Sequence, residues 1–256
     1  LWLMKSGMLT VSNLHNYALS KLDIDTQQID WDTIPSLLKE KMAEAPEEFI
    51  RAIIIDEGQD FGADWWEVIQ ELQIKEDSSL WIFHDPNQSI YQLEDEVAKV
   101  PGMVPFELTR NYRNTKSIHN ELMPLFEGKA LTATGPSGRP PERVQLKTGQ
   151  SSLEVVTTLV DRLVNQEKVP AHEIAVLTPT RKHSDLFVKE IAGIKTQKSG
   201  EVELDKVIVE TIFSFKGQER PVIILCEMHK QEYADTRRLR YTAISRASHH
   251  LIEVIE

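Results

Sequence analysis

The stretch that decides the fold is IRAIIIDEGQDFGADWWEVIQEL, Ile50–Leu72. Four consecutive apolar residues, Ala52–Ile55, run straight into Asp56, Glu57, Gln59 and Asp60. A short, β-branched run of this kind reads as a buried strand. Beyond it Trp65, Val68, Ile69 and Leu72 recur at helical spacing, so strand, turn and helix form one βα unit. In open α/β sheets the ligand crevice lies outside the carboxyl ends of the strands, and this strand delivers two carboxylates to it. Paired acids there suit phosphoryl transfer from a nucleotide: one holds Mg²⁺ and the other orients or deprotonates the attacking water. The alternative is a solvated turn before a helix N-terminus, where the macrodipole favours acids. Asp60 and Asp64 fit that alternative better than Asp56 and Glu57 do.

Outward from this stretch, short apolar runs alternate with helical patterns, the signature of βα units around mostly parallel sheet. Further buried strands are expected at Leu80–Phe83, Ile174–Leu177, Val207–Ile212, Val222–Leu225 and Leu251–Ile255. In SSLEVVTTLVDRLV the residues Val156, Leu159, Val160, Leu163 and Val164 share one helical face, and Ser151 with Glu154 fits a capping box at its start. TATGPSGRPPERVQLKTG, Thr132–Gly149, is dense in Gly and Pro and reads as a loop. His249–His250 reads as a surface or strand-edge feature.

Composition bounds the rest. The 256 residues allow one large domain or two ordinary ones, and 41% hydrophobic content supplies real cores. The longest purely apolar run, Val222–Cys226, is far short of the roughly 20 residues that cross a bilayer, so no membrane partner is expected. A single cysteine, Cys226, sits in an apolar setting and suggests a buried thiol in a reducing, cytoplasmic compartment. Net charge is −11, from 29 basic and 40 acidic residues. Any nucleic-acid contact must therefore be local.

A second strand exit, LWIFHDPNQSIYQ, carries Asp85, Gln88 and Tyr91, and two such exits make one shared polar site. At this point the chain resembles the UvrD/Rep-type superfamily 1 DNA helicases. IIIDEGQD is similar to their Walker B motif (DExQD), HDPNQSIY to the following GDxxQSIY motif, and LTRNYRNTKSI, Leu108–Ile118, to the LxxNYRS motif that opens the second domain. IAVLTPTRKHSDLF resembles the next strand and helix, TIFSFKGQE the TxHxxKGLE motif, and RRLRYTAISRAS the closing RRLxYVAxTRA motif. LTVSNLHNYALSKL, near the start, resembles the weaker TFHSFxxxLL segment. These matches occur in the family's order and span nearly the whole chain.

The resemblance implies roles. Asp56 would bind Mg²⁺, Glu57 would be the general base for hydrolysis of ATP, and Gln88 would contact the γ-phosphate. Tyr112 would stack on the adenine, and Arg113 with Arg246 would reach the triphosphate from the second domain. A guanidinium can pair bidentately with phosphate oxygens. Glu219 would accept from the ribose hydroxyl, with Gly217 permitting close backbone approach. Bland alternatives stand beside these: Arg113 could pair at a helix start, and Tyr112 and Tyr91 could be half-buried aromatics. Three of Arg237, Arg238, Arg240 and Arg246 could form a solvated basic face. Lys216 could be a surface lysine or touch a phosphate of DNA.

Departures from the family are as informative. A P-loop needs G-x-x-x-x-G-K-[ST], and the only Gly-Lys pair is Gly128–Lys129, followed by Ala130. The expectation is a C-terminal portion missing the N-terminal segment that carries the cradle. The rival is a degenerate domain that lost ATPase activity. Leu93 stands where the family often has a base-stacking Trp, and Phe213 and Gln218 replace His and Leu of the KGLE-like motif. Both domains look compact, without the large insertions of bigger members. The expected architecture is α/β: two RecA-like lobes with mostly parallel sheets, residues 1–107 forming an incomplete first lobe and 108–256 the second. The expected activity is that of an ATP-dependent helicase or translocase on single-stranded DNA or single/double-strand junctions, the isolated chain being inactive. The alternatives are a non-catalytic pseudo-helicase that scaffolds DNA or a partner protein, and a Mg²⁺ nuclease using Asp56, Glu57 and Asp60.

Overall fold

The computed structural model describes residues 2–5, 8–22, 30–44, 52–72, 78–91, 96–187, 189–200, 203–228 and 236–256. Leu93, the Trp-replacing position, lies outside them. The chain divides into two units, Leu1–Pro105 and Phe106–Glu256.

In the first unit the elements run β1 (Trp2–Lys5), β2 (Met8–Val11), α1 (Leu14–Leu22), α2 (Ile34–Glu44), β3 (Ala52–Ile55), α3 (Ala63–Leu72) and β4 (Ser79–Ile82). The sheet order is β2-β1-β3-β4. β3 and β4 pair in parallel, Ile55 opposite Ile82, as a βα unit requires. The sheet is less parallel than the sequence pattern suggests, because β1 is antiparallel to both β2 and β3. These two strands precede α1, and neither was expected from periodicity. Ile53 and Ile55 of β3 are fully buried against Leu14 and Ala18 of α1, Leu38 of α2, and Trp66, Val68 and Ile69 of α3. Trp66 rather than Trp65 is the buried indole of α3. Trp65 instead packs at the rim against His15.

The second unit contains β5 (Arg110–Asn111), α4 (Lys116–Leu122), β6 (Thr132–Ala133), β7 (Glu142–Gln145), α5 (Ser152–Asp161), β8 (Ile174–Thr178), α6 (Arg181–Ser184), β9 (Glu190–Ile191), β10 (Ile194–Gln197), β11 (Val207–Thr211), β12 (Arg220–Leu225), α7 (Thr236–Ser245) and β13 (Ala247–Ile255). Its seven-stranded sheet has the order β7-β13-β12-β8-β11-β10-β9, parallel except for the last pair. β8 and β11 are almost wholly buried along their length, which explains the apolar runs Ile174–Leu177 and Val207–Val209 that open them. On one face α5 covers Val176, Val209, Ile224 and Ile252, and α4 and α7 contact β13 as well. The expected capping box forms: Ser151 Oγ accepts from Glu154 N, and the Glu154 carboxylate accepts from Ser151 N. Cys226 is buried, as its apolar setting implies.

Three expectations are corrected here. Thr132–Gly149 is not simply a loop, since β6 pairs with β5 and β7 pairs with β13. β7 is an edge strand that starts directly after Pro140–Pro141, a position where proline removes no ladder bond. His250 is neither surface nor edge: it is 5% exposed on β13, which lies between β7 and β12. The arginines of α7 are not a bare solvated face either. Arg240 bonds the buried Glu253 at 2.5 Å and Arg237 pairs with Glu127.

Charge divides unevenly between the units. Leu1–Pro105 holds 20 of the 40 acidic residues but only 7 of the 29 basic ones. The overall acidity therefore belongs to the first unit, and the second is close to neutral.

Candidate nucleotide site

In the first unit the site is built at the carboxyl ends of β3 and β4. After Ile55 the chain places Asp56 in solvent and turns Glu57 into the left-handed region, φ 55° and ψ 43°. A non-glycine residue held there costs about 1–3 kcal/mol and persists only where its surroundings impose it. The imposing contacts are visible. Gly58 N donates to Phe83 O at 2.9 Å, and Phe83 N donates to Ile55 O at 2.8 Å, so the turn is laced to the end of β4. Glycine is required at 58 because a Cβ would lie 2.7 Å from Ile82 Cγ2.

Gln59, which is buried, ties the two strand exits together. Its Nε2 donates to Glu57 Oε2 at 2.5 Å, and its Oε1 accepts from Asp85 N at 3.0 Å. Asp85 in turn caps the following 3-10 turn: Oδ1 accepts from Asn87 N, and Oδ2 accepts from Gln88 Nε2 at 2.8 Å. Glu57, Gln59, Asp85 and Gln88 are thus one hydrogen-bonded network. A cleft of about 520 Å³ lies beside it, lined by Asn13, His15, Asp56, Glu57, Asp60 and Tyr91 among others. Partial burial raises the pKa of Tyr91, and the charges of Asp60 and Glu57 add to the rise. Burial lowers that of His15, whose ring meets Trp31 edge-on at 4.9 Å.

Among the described residues no group of three or more His, Cys, Asp or Glu could hold a metal by itself. Mg²⁺ in nucleotide sites needs no such cage, because one or two carboxylates act together with substrate phosphates. The exposed Asp56 carboxylate at the strand end fits that mode.

In the second unit a different set converges. Asn111 organises the NYR turn: its Oδ1 accepts from Arg113 N at 3.1 Å and Asn114 N at 3.2 Å. Tyr112 projects outward at 69% exposure, a face open to stacking. Arg113 Nε pairs with Glu219 Oε2 at 2.6 Å, both side chains half-exposed. Arg246 is buried at 1% exposure, with Nε donating to Thr242 O at 3.2 Å and Nη1 to Gln218 O at 3.4 Å. Its backbone carbonyl accepts from Arg220 N. Arg113, Glu219 and Arg246 are therefore gathered around the Gly217–Arg220 turn. Gly217 has φ 77°, and a Cβ there would meet nothing within 4 Å, so glycine serves the turn and leaves its outer side open. The Gly128–Lys129 pair has no part in this, since Lys129 pairs with Glu107 at 2.8 Å.

Two family models match the chain. The UvrD/REP helicase N-terminal domain matches residues 7–99 and the UvrD-like helicase C-terminal domain matches residues 206–254. The chain belongs to the UvrD/Rep-type helicase family. Among solved structures it is similar to the C-terminal domain of a possible DNA helicase from Lactobacillus plantarum WCFS1, at 21% identity and a TM-score of 0.45 over 56% of this chain and 86% of that one. The search of curated proteins gives no match.

Within this helicase frame, sequence reasoning singled out Gln88 along with the charged residues but gave no role to three other amides. Gln59, Asn111 and Asn114 hold the site together, and each is a buried or half-buried polar residue inside a motif segment. Their place within the motifs was the available signal. A second cavity, about 370 Å³, lies in the second unit beside Arg139, Glu167 and His250. Its charges are already paired with one another, Arg139 with Glu167 at 2.7 Å.

Proposed function

We propose that this chain supplies the acid-bearing and arginine-bearing parts of an ATP-dependent DNA helicase or translocase, which couples hydrolysis to movement on single-stranded DNA. The observation that carries the reading is the network joining Glu57, Gln59, Asp85 and Gln88 at two adjacent strand ends, with Glu57 held in a strained conformation. A carboxylate fixed this way can accept the proton of an attacking water without first reorganising. Gln88, held by Asp85, would contact the γ-phosphate, and Asp56 would hold Mg²⁺, which supplies charge neutralisation on the phosphates when bound. From the second unit Tyr112 would stack on the adenine and Glu219 would accept from the ribose hydroxyl. Arg113 and Arg246 would meet the charge that builds on the transferring group.

The 256 residues hold no G-x-x-x-x-G-K-[ST] segment, and without its backbone amides and lysine the triphosphate loses most of its grip. The chain by itself should bind nucleotide weakly and hydrolyse it slowly or not at all. The nearly neutral second unit is better suited to a DNA backbone than the acidic first, whose charge repels phosphate. A scaffolding pseudo-helicase is the rival reading. The test is DNA-stimulated ATP hydrolysis by the longest natural protein that contains this chain, beside Glu57→Gln. A motor loses hydrolysis in the variant and keeps nucleotide affinity; a protein with no DNA-stimulated hydrolysis to lose is the scaffold.

A further inference from the structure

Two arginines from distant parts of the sequence serve a site only if their separation is fixed, and one side chain in the second unit does this. Asn114, 3% exposed, donates through Nδ2 to Ser245 O at 3.1 Å and to Ala247 O at 2.6 Å. These are the two carbonyls on either side of Arg246. Its Oδ1 accepts from Asn111 Nδ2 at 2.9 Å, and Asn111 Oδ1 accepts from Arg113 N. An unbroken chain of amide hydrogen bonds therefore runs from the backbone of Arg113 through Asn111 and Asn114 to the backbone flanking Arg246. Both hydrogens of the Asn114 amide and its oxygen are used.

The surroundings reinforce it. Thr115 N donates to Ser248 O at 3.2 Å, extending the connection by one residue on each side. Gly135 lets a neighbouring loop close over the turn, because a Cβ there would lie 2.4 Å from Asn114 O. A buried amide with every group satisfied is rigid, since any displacement strands a donor or acceptor at a cost. The family motif that Leu108–Ile118 resembles ends in serine at this position. A serine hydroxyl has one donor hydrogen and cannot serve two carbonyls at once.

We infer that Asn114 is a positioning residue that locks the backbones of Arg113 and Arg246 into one register, fixing where the exposed Arg113 guanidinium stands relative to the Arg246 side chain, which is buried on Thr242 O and Gln218 O until it turns toward phosphate. The inference rests on the nucleotide reading for its purpose, and on the hydrogen bonds alone for its mechanics. Asn114→Ala and Asn114→Ser are compared with the unaltered 256-residue chain at a temperature where circular dichroism shows all three folded. Two readouts are taken: NMR order parameters for the Nε–H groups of Arg113 and Arg246 and for the backbone N–H of Glu154 in the α5 cap, and titration with inorganic tripolyphosphate. The expected result is loss of order at both arginines in Asn114→Ala, a smaller loss in Asn114→Ser, no change at Glu154, and tripolyphosphate affinity lower by about tenfold in Asn114→Ala. Retained order at either arginine overturns the inference. So does equal loosening at Glu154, which would make Asn114 a general fold stabiliser. If both arginines loosen together while tripolyphosphate affinity is the same in the variants as in the unaltered chain, the lock stands and the phosphate-binding purpose assigned to it fails.

Discussion

Replacing Gln59 tests the acid-bearing half directly. Gln59→Leu keeps the side-chain volume and removes both hydrogen bonds that join the strand exits. The bond to the Glu57 carboxylate is charge-assisted, worth about 1.5–3 kcal/mol, and an unpartnered Asp85 N–H costs about 1–3 kcal/mol. Glu57 is half-exposed and can turn to water, so the two do not add fully; a loss of about 2–3 kcal/mol is expected. With a urea slope of about 1–3 kcal/mol/M, the midpoint falls by roughly 1 M or more. The assay is selective, because all five tryptophans, at 2, 31, 65, 66 and 81, lie in Leu1–Pro105 and their fluorescence reports that unit alone. Gln59→Glu adds a sign. It sets a second carboxyl against Glu57 Oε2, where the amide now sits at 2.5 Å, so the shared proton is held and the folded pKa rises above the unfolded value of about 4.3. Stability from such a group is fully present below the unfolded pKa and is lost as pH rises through the folded one. The deficit of Gln59→Glu at pH 7 should therefore shrink toward pH 5. Either variant matching the unaltered chain within about 0.5 kcal/mol at pH 7, or a pH-independent deficit in Gln59→Glu, refutes the network.

Two further predictions follow from packing and burial. Gly58→Ala places a Cβ against Ile82 Cγ2 and should destabilise the first unit by about 1–3 kcal/mol; tryptophan-detected urea unfolding measures it, and a neutral result would show that the β4 end yields freely. Burial, together with the Arg139 and Arg162 charges, lowers the His250 pKa against the opposing pull of Glu142 and Glu167, and neither ring nitrogen has a hydrogen-bond partner. The folded state therefore prefers the neutral ring, while the unfolded chain takes up a proton near pH 6.5. Stability of the second unit should fall below that pH, by at most about 1.4 kcal/mol per pH unit from this group. His250→Leu should flatten that decline in urea melts followed by circular dichroism between pH 7.5 and 5.5; an unchanged slope would assign it to other groups.

How much of this was legible in the sequence depends on the range of the physics involved. Periodicity is local, so β3, β8, β11 and β12, α3 and α5, and the Ser151–Glu154 cap could be read directly from residues a few positions apart. The same holds for the acids at the end of β3 and the arginine-bearing motifs, because strand ends and motif spacing are local too. Pairing is not local. Glu142–Gln145 looked like loop because proline and glycine crowd it, yet β13 accepts it as an edge strand. His250 looked peripheral because nothing nearby shows that β13 is flanked on both sides. Gln59 and Asn111 stand inside motifs and bond neighbours a few positions away, but Asn114 becomes structural only where a distant backbone supplies its partners. For Asn114 those partners lie 131 and 133 residues away. The sequence alone determined which acids, amides and arginines the chain carries and on which elements they stand. Tertiary structure decided which groups are held still, because a buried hydrogen bond exists only where two remote segments meet.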